Sequence, residues 1–275
     1  TSMCSSRLGE VLRHLQITSV GIHGVGSGTV EEWLPEFRPN YTCVNDQHAS
    51  ARIQRAWPGY CASHIFVTGS PRIDQLAAYD KEGAREKVRD ALGISSSVHL
   101  VLFAGDTDAY TVGELEKFVE ALPIEVALMA RPHPRMPDSQ RAEWEEVLGQ
   151  FPGNYVEGTH LDSLSAVVAA DLVVGRASTL QVEAAVLGKP TISLMLPGLG
   201  GPDFYRATGN EEFWLVDTGC ATKVSGEIEL TQTLKQFVET GSLGLEKAQG
   251  RTFKLDGNNA ARVADQVETA IQGLP

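Results

Sequence analysis

Residues Ala169–Leu194 read AADLVVGRASTLQVEAAVLGKPTISL, and this stretch decides the fold. Leu172–Val174 is a short apolar run of the kind buried in a parallel sheet. Gly175 follows, where the chain has to turn sharply. Ser178 or Thr179 supplies a cap for the next helix, and Glu183 lies one turn further in. Val182, Ala184, Ala185 and Val186 form its packing face. Gly188 closes the helix, and Pro190 keeps it from resuming. Thr191–Leu194 is then the next strand. Such a unit sets a helix N-terminus, with its backbone N–H groups, at the carboxyl edge of a parallel sheet, where an anion binds readily. Glu183 comes within reach of a sugar hydroxyl beside a bound phosphate. The same spacing equally suits an ordinary βαβ unit with a surface glutamate.

Outward from this unit the alternation of strand and helix is regular. Going back, the pattern gives strands at His99–Phe103, Val126–Ala130 and Tyr155–Val156. Helices are expected over Asp80–Leu92, Val112–Leu122, Ser139–Leu148 and Asp162–Ala169. That order predicts a doubly wound parallel sheet. Further on, Phe213–Val216 reads as a late strand and Glu229–Glu239 as a helix. Ala260, Val263, Val267 and Ile271 mark a final helix over Asn258–Ile271. The first part of the chain holds about three strand–helix repeats. Ser5–Leu15 is an amphipathic helix by pattern, and strands are expected at Ile17–Ile22, Tyr41–Val44 and Ile65–Thr68. Asn45-Asp46 opens a helix from His48 to about Trp57. The Gly-rich turn His23–Gly28 lacks the spaced dinucleotide fingerprint and reads as a loop.

Composition narrows the function classes. The chain has 275 residues, a net charge of −12 and no run of Lys or Arg, so nucleic acid is an unfavourable partner. Cys4, Cys43, Cys61 and Cys220 are scattered with no C-x-x-C pair, which signals neither a zinc site nor a disulfide framework and fits a reducing cytoplasm. No apolar run reaches the ~18 residues of a membrane span, and no signal peptide is expected. A small phosphate-bearing ligand remains compatible, since backbone N–H groups and one or two Arg suffice locally.

Three segments carry a family resemblance together: VTGSPRIDQL at Val67–Leu76, ARPHPR at Ala130–Arg135, and the central stretch itself. In this order they resemble the nucleotide-sugar enzymes of the GT-B fold. The glycosyltransferase-like proteins of surface-polysaccharide synthesis are similar, as are the non-hydrolysing UDP-N-acetylglucosamine 2-epimerases. The resemblance implies an α/β protein of two Rossmann-like domains facing each other across a cleft. Residues 1–76 would form an abbreviated or incomplete N-terminal, acceptor-side domain. Residues 77–257 would bind the nucleotide sugar, and 258–275 would be a helix crossing back. It implies a transferase that passes a sugar from a nucleotide-activated donor to a glycan or lipid-linked acceptor, on the cytoplasmic side. No obligatory metal or cofactor is expected, and a UDP-sugar is the first choice of donor. It also leaves room for a homodimer.

Site residues carry over position by position. Ser178 and Thr179 are similar to the family's diphosphate contact, and Glu183 to the residue that grips the ribose hydroxyls. A carboxylate can accept from both vicinal hydroxyls. Arg131 can neutralise phosphate, while His133 can donate to it or shuttle a proton. Gly105 and Asp106 stand where the first loop of the nucleotide domain meets the ligand, and Gly158 lies in a loop framing the base. For the catalytic base, His23 and Asp46 are the candidates beside His133, since each follows a predicted strand. The acids of Asp106-Thr107-Asp108 read equally as caps or as an ion site. Two departures weigh against epimerase chemistry. AGDTDAY stands where the epimerases carry an H-R-R-E-N-like run, and LMLPGLGGPDF where they carry a T-E-R-P-E-like run. Epimerase, hydrolase or non-catalytic nucleotide-binding roles are the alternatives on this scaffold.

Overall fold

The computed structural model describes residues 11–12, 14–23, 38–200 and 212–272. The expected helix at Ser5–Leu15 and the turn after His23 fall largely outside these residues. Two compact units divide the chain: residues up to Tyr79 with Arg251 onwards, and Asp80–Gly250.

The first unit is built on three parallel strands, β1 (Val20–Ile22), β2 (Tyr41–Val44) and β3 (Ile65–Val67), in that order. Helix α1 (Gln47–Ala56) follows β2, and Asp46 caps it by accepting from the Ala49 N–H at 2.8 Å. A single turn of tighter helix, Ala62–His64, leads into β3. Val44, Ala49, Ile53, Trp57 and Ile65 form the core here. Helix α2 (Pro71–Ala77) starts on a proline at its first position, where a missing N–H costs nothing.

The second unit opens with α3 (Lys81–Ala91), capped by Asp80 through the Gly83 N–H. Then come β4 (Leu100–Ala104), α4 (Thr111–Ala121), β5 (Ala127–Arg131), α5 (Asp138–Gln150) and β6 (Asn154–Tyr155). Helix α6 (Ser163–Ala169), β7 (Leu172–Gly175), α7 (Thr179–Val186) and β8 (Thr191–Leu194) follow. The remainder is α8 (Trp214–Asp217), β9 (Thr222–Val224), α9 (Glu227–Thr240) and α10 (Glu246–Thr252). All strand pairs are parallel, in the order β6-β5-β4-β7-β8-β9.

Every residue of β4, β7 and β8 is buried, because helices cover both faces. Val101, Phe103, Leu128, Val174 and Ile192 face α4, α5 and α9, meeting Phe118, Trp144 and Phe237. Leu100, Leu102, Met129 and Val173 face the other way, onto Ala166, Val167 and Ala184 of α6 and α7. Phe213–Val216, expected as a strand, instead turns as α8, with Phe213, Trp214 and Leu215 all buried. The last strand is β9, which pairs Ile192 with Thr222.

The final helix α11 (Asn259–Gln272) belongs to the first unit and packs on α2, β1 and β2. Its start is tied down by Asp74 of α2. That carboxylate accepts from the Asn259 N–H at 3.0 Å, the Asn259 Nδ2 at 2.7 Å and the Ala260 N–H at 2.7 Å. Arg262 adds a bond from Nε to the Thr68 carbonyl at 2.8 Å. Gly69, at φ +79°, fits beneath Asn259 where a Cβ would collide with its side chain.

Candidate functional site

In the second unit the chain runs outward from β4 to β6, then returns to build β7, β8 and β9 on the other side. The strand order therefore reverses between β4 and β7. Ligands of such sheets bind outside the carboxyl ends of the strands at this switch point. The loop after β4, Gly105–Tyr110, and the turn after β7, Arg176–Ser178, flank it.

The turn after β7 is tightly specified. Ser178 caps α7: its Oγ accepts from the Leu180 N–H at 3.2 Å, and its carbonyl accepts from the Gln181 N–H at 3.1 Å. Gln181 answers, its Oε1 accepting from the Ser178 N–H at 2.7 Å, which closes a capping box. Its Nε2 donates to the carbonyls of Gly175 at 3.0 Å and Ile192 at 2.7 Å. Ser178 is thus consumed by the cap. Among the described residues the Thr179 N–H meets no protein acceptor, so it is the first-turn donor left for a ligand. Glu183 sits one turn in and is buried, 7 % exposed.

The loop after β4 is held by its own side chains. Asp106 accepts from the Thr107 N–H at 2.7 Å, while its own N–H donates to Thr111 Oγ1 at 2.9 Å. Asp108 accepts from the Tyr110 N–H at 2.9 Å. Gly105 is a close-packing position: a Cβ there would stand 2.8 Å from the Trp144 indole and 3.2 Å from the Arg131 carbonyl. Asp108 also pairs with Arg176, so the D-T-D acids are engaged by protein donors. Among the described residues no cluster of three or more His, Cys, Asp or Glu could hold a metal ion.

Arg131 ends β5, and its Nη1 donates at 2.8 Å to the carbonyls of both Gly158 and Leu161. Partial burial lowers its pKa, yet it stays a cation. It therefore pins the loop after β6 to the loop after β5. Glu157 stiffens the same loop by accepting from the Thr159 N–H at 2.8 Å and meeting His160 Nδ1 at 3.2 Å. The Thr159 hydroxyl, which also donates to this carboxylate, holds it below the usual range together with the Thr159 N–H and His160. Gly158 lies directly over Met129, where no Cβ fits. His133 Nδ1 accepts from the Arg135 N–H at 3.1 Å, which puts the proton of the neutral ring on Nε2. Beside these loops a cavity of about 520 Å³ is lined by Pro132, Arg141, Trp144, Tyr155, Glu157 and Thr159, among others.

Gly105, Asp106, Arg131, His133, Gly158, Ser178, Thr179 and Glu183 all belong to the second unit, at or just past the carboxyl ends of β4, β5, β6 and β7. His23 and Asp46 lie in the first unit, past the ends of β1 and β2. His23 is 7 % exposed, and neither ring nitrogen has a hydrogen-bond partner among the described residues. Burial pushes its pKa down to about 4, so it is neutral near pH 7, the form a base requires. Asp46, also buried, is raised by desolvation, against the bond from the Ala49 N–H, and its Oδ2 has no partner among the described residues.

Sequence reasoning passed over Arg176 and Glu114. Arg176 is the charged residue between Gly175 and the cap, and it is buried. Its Nε and Nη2 donate to the two oxygens of Glu114 at 2.9 and 2.8 Å. Burial lifts the Glu114 carboxyl to about 7, against the pull of this guanidinium. Burial also works against the charge on Arg176, but Glu114 and Asp108 outweigh it and hold its pKa above the usual arginine value.

The family model for CDP-Glycerol:Poly(glycerophosphate) glycerophosphotransferase matches residues 12–269. The chain belongs to this family. Among solved structures, UDP-GlcNAc 2-epimerase from Neisseria meningitidis bound to UDP-GlcNAc is similar at 13 % identity and TM-score 0.65. The match covers 95 % of this chain and 72 % of that one. S. aureus MnaA with UDP matches at 14 % identity and TM-score 0.67, covering 99 % and 74 %. The wall teichoic acid polymerase TagF matches at 15 % identity and TM-score 0.55, covering 88 % of this chain. The chain spans 60 % of the length of that TagF chain. These likenesses establish the GT-B-type fold of two Rossmann-like α/β units. No curated protein sequence matches the chain.

Proposed function

We propose that this chain is a transferase that binds a donor activated on a nucleoside diphosphate and passes the activated group to a glycan or lipid-linked polymer. The family match over residues 12–269 carries this reading. The family's own description makes a CDP-activated alcohol the first donor to test, ahead of the UDP-sugar expected from the sequence.

The donor diphosphate lies at the switch point. The Thr179 N–H and the positive end of the α7 dipole meet its charge. Arg131 keeps the loops after β5 and β6 in place beside it, and His133 Nε2 donates to phosphate or supplies a proton to the leaving group. Glu183 serves the ribose. For the general base the first unit offers two candidates, the neutral imidazole of His23 and the carboxylate form of Asp46, each able to accept a proton from a hydroxyl. The chemistry follows from the donor. With a CDP-alcohol the hydroxyl attacks the distal phosphorus and CMP leaves. With a nucleotide sugar it attacks the anomeric carbon and the nucleoside diphosphate leaves. A reducing, cytoplasmic setting is part of the proposal, and among the described residues Cys43, Cys61 and Cys220 are free thiols. Among the described residues no helix is long and apolar enough to cross a membrane.

A melting panel with CDP-glycerol, CDP, UDP, UDP-N-acetylglucosamine, GDP and ADP tests the donor. A ligand present at ~100 times its Kd adds ~2.7 kcal/mol of stability. Product analysis then separates the chemistries: CMP marks phosphoryl transfer, a free diphosphate marks sugar transfer, and an isomerised sugar nucleotide marks the epimerase alternative. No stabilisation by any of the six ligands overturns the proposal.

A further inference from the structure

A buried arginine one residue before Ala177-Ser178 invites a role as phosphate ligand, but its donors point elsewhere. The Arg176 side chain is 1 % exposed. One edge of its guanidinium forks onto Glu114 in the first turn of α4. The other meets Asp108, with Nη2 to Oδ1 at 3.1 Å and Nη1 to Oδ2. Its carbonyl accepts from Ser193 Oγ of β8 at 2.8 Å. Three chain segments thus converge on this one residue of the turn into α7: the loop after β4, the start of α4 and β8. A planar fork matched by carboxylates on two edges fixes direction as well as distance.

We infer that Arg176 is a positioning residue, clamping the Gly105–Tyr110 loop through Asp108 so that it stands at a fixed place beside the α7 N-terminus. The inference rests on the reading of this edge as the diphosphate site. Its consequence is specific: the clamp serves the phosphate-bearing part of the donor and leaves the nucleoside's own contacts alone.

Replacing Arg176 itself is a poor test, because it strands Glu114 as an uncompensated buried carboxyl. Asp108→Asn is the better one. The Asp108 side chain is 34 % exposed, and asparagine keeps the acceptor for the Tyr110 N–H while removing the ionic link to Arg176. Calorimetry with CDP and cytidine, and with UDP and uridine, is paired with amide exchange. The variant is expected to bind the diphosphate about tenfold more weakly, the scale of losing one charge-assisted bond. Nucleoside binding stays unchanged, and exchange at Thr107–Tyr110 speeds up while that of β4 and β7 does not. Undiminished diphosphate binding overturns the inference, as does equal weakening of diphosphate and nucleoside, or unchanged exchange in the loop. If the wild-type chain binds neither diphosphate, the reading of the site fails and the inference falls with it, a result distinct from a wild type that binds and a variant that binds equally well.

Discussion

The proposed chemistry rests on single residues at the carboxyl edges, and two of them give sharp tests. Thr179 is the first residue of α7, with Ser178 before it at φ −91° and ψ 149°. That extended conformation is the one a following proline demands, and proline is welcome at the first helical position. Thr179→Pro therefore deletes the open N–H without disturbing the helix. Diphosphate affinity should fall about tenfold with unfolding free energy unchanged, read by calorimetry and urea titration. An unchanged affinity removes this N–H from the site. His23 tests by pH. It titrates near 4 in the folded chain and near 6.5 unfolded, so between those values the unfolded chain holds the extra proton. Stability then falls as pH drops from 6.5 to 4, by on the order of 3 kcal/mol for this group. Asp46, raised by burial, acts in the opposite sense and returns part of the loss at acid pH. Urea midpoints across that range should show a shallower slope for His23→Leu than for wild type. Equal slopes would mean that the ring is hydrated rather than desolvated. At this scale the sequence is only half legible. A cap at Ser178 or Thr179 is visible from the neighbours alone, and the structure decides for Ser178, whereas the pairing of Arg176 with Glu114 spans 62 residues and no local spacing announces it.

At the scale of elements, α7 and its turn are set by Gln181, which is fully buried. Gln181→Leu keeps the volume but orphans the Ser178 N–H and the carbonyls of Gly175 and Ile192. The expected cost is about 2–5 kcal/mol by denaturant titration, the sum of several unmet buried groups. A loss of under ~0.5 kcal/mol would mean that water replaces the amide. The strands β4 and β7 were legible because they are apolar on both faces, so their runs stand out without any alternation, while β8, TISL, is marked by Gly188 and Pro190 just before it. Phe213–Val216 misled for the same reason. Its apolar run imitates a buried strand, but four residues so close to a cap at Phe213 can also wind one helical turn and bury Trp214 and Leu215. Strand β9, Thr222–Val224, has a lysine at its centre and too few apolar residues to register.

At the scale of the whole chain, the tail returns to the unit where the chain begins. The apolar stripe Ala260, Val263, Val267, Ile271 was expected to pack as one face, but the structure buries Asn259, Val263 and Ala270 and leaves Ala260 and Ile271 exposed, and pattern alone did not say which surface the helix meets. Asp74 answers in part, because it is the acceptor for two N–H groups at the start of α11. Asp74→Ala should speed amide exchange in the first turn of α11 and in β1–β3, while Leu172–Val174 and Thr191–Leu194 keep their protection. Loss of protection first in β7 and β8 would contradict the assignment of the tail to the first unit.

In the proposed function the donor binds at the switch point between β4 and β7. Amide-exchange mapping of the wild-type chain, with and without saturating CDP-glycerol, tests it most directly. Added protection is predicted at Asp106–Asp108, Arg131–His133, Gly158–Leu161 and Ser178–Leu180, with the opposite, amino-terminal ends of the same strands unchanged. Protection confined to other segments, or none at a concentration that stabilises the chain, would contradict it.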